Sequence, residues 1–211
     1  MREPHLPTHY AWALLGVLVV SVTSVTGTVL LVGRTARRVR LRPLVPFFVL
    51  GAGFMILETK AITQFALIWG STWVVASATI ASVLVMAAAG AWLANRVTRI
   101  EPWAVGVPLL LLLLAAYLLP VGTIGFGSLA AETLFYSVLT FSPVLLAGLL
   151  FSGSLKQTDN VAFAYGANLL GAMVGGVAEY LALVTGYRVL LVAIAVCYLT
   201  AIVLYPRVRR L

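Results

Sequence analysis

The 211-residue chain is 62% hydrophobic and 9% charged, with 14 Lys/Arg against 6 Asp/Glu and a mean hydropathy of +1.08. A soluble domain averages roughly 45–50% apolar and 25% charged residues; this chain has too few charges to cover a water-facing surface, and a soluble fold is excluded. The net charge of +8 raises nucleic acid or a membrane surface as partner, and the placement of the charges decides between them.

At about 20 apolar residues per helical crossing, seven segments are expected in chain order: residues 11–33, 44–69, 72–94, 103–119, 130–152, 161–185 and 189–205. Short polar or Gly/Pro-containing breaks separate them, such as 34–43, 95–102 and 152–160. The alternation of a membrane β-strand is absent, so helices must satisfy the backbone in lipid. The first segment lacks a basic leader run and is followed by arginines. A secretory signal has an apolar core of only about 7–15 residues, so a retained helix is expected. The fold expected is all-α, a polytopic transmembrane helix bundle forming one domain over residues 1–211. No stretch is long and polar enough for a separate catalytic domain.

Orientation follows from the basic residues. Arg34, Arg37, Arg38, Arg40, Arg42, Arg96, Arg99, Lys156, Arg207, Arg209 and Arg210 share one side if the helices alternate. Arg2 and Arg188 fall on the other, and Lys60 lies inside a span. This asymmetry puts the N-terminus outside and the C-terminus in the cytoplasm. The arginines are short flanks facing anionic headgroups, not a groove-lining patch, so lipid is the expected partner and nucleic acid is not. Tyr10, Trp12, Trp69, Trp73, Tyr117 and Tyr187 sit near outer ends. Trp92, Trp103, Tyr165 and Tyr205 sit near inner ends, as interfacial belts do.

The second segment holds the residues that could carry chemistry, Glu58, Lys60 and Gln64. A charge at mid-membrane costs about 2.5–3.5 kcal/mol on insertion scales, so these groups should face the bundle interior or a wet cavity. Glu58 and Lys60 are two residues apart, about 200° round a helix, and cannot simply pair with each other. Lys60 can reach Gln64 one turn on, but its countercharge must come from another helix. The sixth segment repeats small residues every four positions, Ala167, Gly171 and Gly175, a ridge for close helix packing. Glu179 is the next step of that ridge, and Glu132 starts the fifth segment. Both are candidate partners of Lys60. The plainer role of this cluster is a structural ion pair fixing helix order; the sharper one is an ion or substrate path.

Other features are weaker. His5 and His9 have no third ligand and read as solvated tail residues, so no metal is expected. The single cysteine, Cys197, gives neither a disulfide framework nor a thiolate cluster. Gly51-Ala52-Gly53 inside an apolar run reads as close packing, not a phosphate cradle. Pro108 and Pro143 lie within spans, and the Ser142 hydroxyl is placed to serve a carbonyl freed by Pro143. A retinal site would want a lysine in the seventh segment, and none is there. No cofactor is expected.

Several strings resemble the membrane part of bacterial spermidine-synthase-like proteins. They are Phe47-Phe48-Val49-Leu50-Gly51-Ala52-Gly53-Phe54, Leu57-Glu58-Thr59-Lys60-Ala61-Ile62-Thr63-Gln64 and Gly70-Ser71-Thr72-Trp73. Residues 166–180, from Gly166-Ala167-Asn168 to Glu179-Tyr180, and Thr185-Gly186-Tyr187-Arg188 resemble them too. Arg2-Glu3-Pro4-His5-Leu6-Pro7-Thr8-His9-Tyr10 looks like the segment leading from the soluble aminopropyltransferase-like domain of those fusions into their last helical block. The resemblance implies a bacterial cytoplasmic-membrane location. The glycine-rich cofactor loop and acidic catalytic residues of that soluble domain are not among these residues, so aminopropyl transfer is not expected of this chain alone. A cytosolic domain ahead of the first segment would put the N-terminus inside; the arginine tally puts it outside and is followed here.

Three functions compete. The expected one is a non-catalytic integral membrane subunit or anchoring module, partnered by other membrane subunits or by copies of itself. The alternative is a small-solute or ion transporter using Glu58, Lys60 and Glu179; no internal repeat of the transporter kind is evident. A membrane enzyme with Glu58 or Glu179 as acid/base ranks last, because no nucleophile, metal set or cofactor motif accompanies them.

Overall fold

The computed structural model describes residues 42–120, 124–125, 127–158, 160–178 and 187–205, together with Trp12, Leu15, Gly16, Val19, Val20, Thr23 and Gly27. The chain divides into two units, 1–41 and 42–211. In the first, the seven described residues are helical. Trp12, Leu15, Val19 and Val20 are exposed, and the Thr23 hydroxyl donates to Val19 O at 2.7 Å.

Among the described residues of the second unit a 3-10 turn, Arg42–Leu44, leads into six helices: α1 (Val45–Trp69), α2 (Trp73–Arg96), α3 (Pro102–Leu118), α4 (Leu129–Leu155), α5 (Val161–Ala178) and α6 (Tyr187–Val203). No strand occurs among the described residues. Among the described residues four helices are long and apolar enough to cross a membrane, namely α1, α2, α4 and α5. α3 and α6 are apolar but shorter, 17 residues each, or about 26 Å at 1.5 Å per residue. The fifth segment runs three residues further than its expected end, to Leu155. Of the sixth segment, the residues after Ala178 lie outside the described ones.

Local chemistry sets these boundaries. Thr72 caps α2 by accepting from Val75 N at 3.3 Å, and Ser128 caps α4 by accepting from Ala131 N at 3.2 Å. Prolines occupy the first turns of α1 and α3, where a missing N–H leaves nothing unpaired. Gly70 ends α1 at φ 91°, a left-handed conformation open to glycine, and its N–H donates to Ala66 O at 3.0 Å. α4 runs through Pro143. Ser142 there donates to Val138 O at 2.6 Å, one residue short of Leu139 O, the carbonyl that a proline at 143 leaves without its helical donor. The hydroxyl therefore does not serve the freed carbonyl.

Contacts fix the relative direction of the helices. Asn168 near the start of α5 donates to Phe47 O near the start of α1, and Phe47 meets Phe151 near the end of α4 edge-on. Lys156, after α4, donates to Ala94 O at the end of α2 at 2.6 Å, satisfying a terminal carbonyl. Gly106, near the start of α3, lies against Ile202 at the end of α6. Thus α1, α3 and α5 begin where α2, α4 and α6 end. This end carries Arg96, Arg99 and Lys156; Trp69, Glu132 and Arg188 lie at the other.

The central element is α1, apolar all round apart from its few polar groups and packed against α2, α4, α5 and α6. α2 packs mainly on α4, and α3 on α4 and α6. Two seams are built on glycine. A Cβ at Gly51 would fall on Asn168 O, and one at Gly171 on Phe48 O, so α1 and α5 touch backbone to backbone. Gly90 of α2 stands likewise against Leu145 O of α4, and a Cβ at Gly148 would lie 2.7 Å from Ala87 O. Small residues let helices approach this closely in lipid, where packing replaces the hydrophobic effect as the force between helices.

Candidate functional site

Lys60 is 2% exposed and Gln64 4%, and the Lys60 ammonium donates to Gln64 Oε1. Both stand on one stripe of α1 with Leu57 and Ala61, the i, i+3, i+4, i+7 set of a helix. Among the described residues Lys60 has no carboxylate partner. Geometry explains this for Glu132. Trp69 Nε1 donates to Thr133 Oγ1 at 3.1 Å, which sets the first turn of α4 level with the end of α1. Lys60 lies nine residues earlier on α1, about 13 Å down the axis at 1.5 Å per residue, beyond the reach of a lysine to Glu132. Glu132 itself is half-buried in the first turn of α4, where the helix dipole favours a carboxylate.

Glu179 lies outside the described residues. The faces of α1 are nonetheless clear. Gly51, Ala52 and Met55 meet α5, and Lys60 stands roughly 130° round the helix from that line at 100° per residue. Lys60 instead shares a side with Gly53, which lies against Cys197 and Tyr198 of α6. Back along the antiparallel α6 come Ile194, three residues from Cys197, and Leu191 and Leu190, seven from Tyr198 and Cys197, all buried. The aliphatic stem of Lys60 is thus set among apolar side chains, with Gln64 holding its head. Glu58 is half-buried on the opposite side of α1, nearer the line of Met55. The structure brings Lys60 and Gln64 together and leaves Glu58 and Glu132 apart from them.

Of the small-residue ridge, Gly171 and Gly175 are buried against Phe48 and Ala52 of α1. Ala167 is half-buried, and the neighbouring Asn168 completes the seam, its amide donating to Phe47 O at 3.2 Å. Asn168 escapes a search for charged groups; a lone amide among small residues in an apolar helix is the signal that marks it, because such a side chain seeks an interhelical partner.

A second place escapes sequence reading altogether. A cavity of about 310 Å³ lies toward the Arg96/Lys156 end, bounded by α1, α2, α4, α5 and α6. Phe54, Phe151, Tyr165 and Tyr198 line it from four helices, together with Ala87 and Gly148 of the α2–α4 seam. None of its lining residues is charged. Tyr198 is fully buried, and its hydroxyl has no hydrogen-bond partner among the described residues; the same holds for Thr140 Oγ1 in α4. Lys60 and Gln64 do not line this cavity. His5 and His9 lie outside the described residues. Among the described residues no three His, Cys, Asp or Glu side chains gather into a metal-binding group. No protein-family model, curated protein or solved structure matches the chain.

Proposed function

We propose that this chain is a non-catalytic integral membrane module, a subunit or anchoring unit of a larger membrane assembly, akin to the membrane part of spermidine-synthase-like proteins. In this reading it forms one seven-span domain of a bacterial cytoplasmic membrane, with the N-terminus outside and the C-terminus inside. The observation that carries it is a face of α2 left exposed among the described residues. Only 17% of that helix's apolar stretch is buried, and its exposed side sets the small residues Ser77, Ala78, Ala81 and Ala88 among Trp73, Leu84, Val85 and Trp92. Faces turned to lipid need no small side chains, whereas faces that receive another helix are enriched in them. The closed packing round Lys60 agrees, since a residue tied to its own helix and kept out of the cavity serves assembly better than passage.

Native mass spectrometry of the chain extracted from its own membranes in mild detergent tests this. A stoichiometric second protein, lost when Ala81 is replaced by Phe, is the expected result. A monomer with no partner would overturn it. The second reading, a small-solute or ion carrier, has one observation in its favour: the Lys60 ammonium has no carboxylate against it among the described residues. Uptake into liposomes that is abolished by Lys60→Met and Glu58→Gln would favour that reading instead.

A further inference from the structure

α2 and α3 are joined by residues 97–101 alone, yet they hardly touch each other, and both pack on α4. Their facing flanks follow from what the opposite flanks do. On α2, Ala91 lies to one side of the Gly90 seam and lines the cavity shared with α1 and α5. At 100° per residue, Met86 and Ala89 lie to the other side of that seam, and both are half-buried. On α3, Gly106 and Tyr117 turn to Ile202 and Arg188 of α6, so Pro108 and Ala115 form the flank away from α6. Between the two helices α4 shows Val138, 57% exposed, and the half-buried Ser142. Among the described residues these flanks and this floor make a lateral apolar groove. It runs the 17 residues of α3, about 26 Å, and one leaflet of a hydrocarbon core is about 15 Å thick. An acyl chain fits along it.

The Arg96/Lys156 end of the groove is cationic. Lys156 follows Val138 by about five turns of α4, so it stands at the end of the groove floor. Its ammonium gives one of three donors to Ala94 O and keeps the others. Arg96 lies over the Trp92 ring, 4.8 Å from its centroid, which engages the face of the cation and leaves its N–H edge free. Arg99 is exposed in the loop that closes the groove, and Ile100 beside it packs on Gly153 of α4. Among the described residues none of the three cations is held by a carboxylate, and Glu101 is the one carboxylate at this end.

An apolar groove that ends in three cations is complementary to an amphiphile with an acyl chain and an anionic head. We propose that the groove between α2 and α3 is a specific site for one anionic phospholipid, its phosphate held by Arg96, Arg99 and Lys156. One acyl chain lies between the two helices. The ammonium of a zwitterionic headgroup would meet like charge there, so the site selects the anionic lipid. It lies roughly 120° round α2 from Ala81 and Ala88, and so neither needs nor blocks a partner on that face.

The test is native mass spectrometry of the purified full-length chain titrated in detergent with dioleoylphosphatidylglycerol and dioleoylphosphatidylcholine. The expected result is one phosphatidylglycerol per chain, bound ahead of any phosphatidylcholine. Arg99→Gln with Lys156→Gln should weaken it about tenfold to thirtyfold, the worth of two basic residues at an anionic headgroup. Arg188→Gln, at the other end of the bundle, should leave it unchanged, and Ala89→Phe should weaken it by filling the groove. Equal retention of the two lipids, or a ladder of lipids with no single first molecule, would overturn the proposal and leave an ordinary lipid belt. Displacement by glycerol phosphate at equal concentration would overturn it too, making this a free-phosphate site, as would an equal loss in Arg188→Gln. Should Lys156→Gln fail to fold, Arg99→Gln alone decides, with a loss of about fivefold expected. A partner subunit adds the mass of a protein rather than a lipid, so the same spectra keep this result separate from the assembly reading.

Discussion

α1 and α2 are neighbours of nearly equal length, joined by a turn of three residues, and they use the membrane in opposite ways. α1 carries Glu58, Lys60 and Gln64, and 61% of its apolar stretch is buried; α2 has no charged residue before Arg96 and is 17% buried. In water the more apolar helix would go inside. In lipid the order reverses, because an apolar surface loses nothing by facing acyl chains or the apolar face of another helix, while polar groups must find partners within the protein. The comparison teaches that polarity, not hydrophobicity, marks the inside of this bundle.

The largest way to break the contrast is to force α1 off its neighbour. Gly171→Leu places side-chain atoms where Phe48 O now stands, and overpacking of this kind costs about 1–3 kcal/mol or more. It should abolish the monodisperse peak of a fluorescent fusion in size-exclusion chromatography. Gly166→Leu, on the same helix with nothing within 4 Å, should leave that peak unchanged.

A smaller effect separates the lysine from its acceptor. Gln64→Leu removes the acceptor that the buried Lys60 amine has among the described residues, and stranding a buried polar group costs about 1–3 kcal/mol, read as a lower melting temperature in detergent. Lys60→Met with Gln64→Leu removes both partners and should recover most of that loss, since apolar replacement of a whole buried polar pair is close to neutral. Equal melting of the Gln64→Leu single variant and the parent would break the view of α1 as the polar interior.

The smallest expected effect sits on the other side of the contrast. Leu84→Ala and Val85→Ala on the exposed face of α2 should change the melting temperature of the isolated chain very little. An apolar-to-Ala change facing detergent creates no cavity, in contrast to the roughly 2–5 kcal/mol of a core Leu→Ala. Leu57→Ala in α1, a residue 1% exposed, should show the full core loss in the same assay.

Much of this was legible in the chain. Apolar runs bounded by Pro46, Gly70-Ser71-Thr72, Pro102 and Ser128 define helices to within a few residues, because caps and breakers act locally. The i, i+4 spacing of Lys60 and Gln64 already put them on one face. Which helix that face meets was not legible. It depends on the side of α1 taken up by α5, and hence on Gly51, Gly171 and Asn168 meeting across more than a hundred residues of chain. The cavity was less legible still, since apart from Asn168 and Ser152 its lining residues read as ordinary filling of apolar helices and only their convergence leaves a space. The first segment's helical residues belong to a separate unit, and Glu179 falls outside the described residues, so the ridge could be followed only to Gly175.

The Gly70 turn carries one more consequence, for how the chain gets into the bilayer. Only Gly70, Ser71 and Thr72 separate α1 from α2, too few for one helix to enter while the other waits in water. The two must insert as a hairpin. The penalty of about 2.5–3.5 kcal/mol for a lysine at mid-membrane then falls on the pair, and the long uncharged run of α2 offsets it during biogenesis. α2, whose apolar stretch is mostly exposed, is the one that carries the polar helix into place.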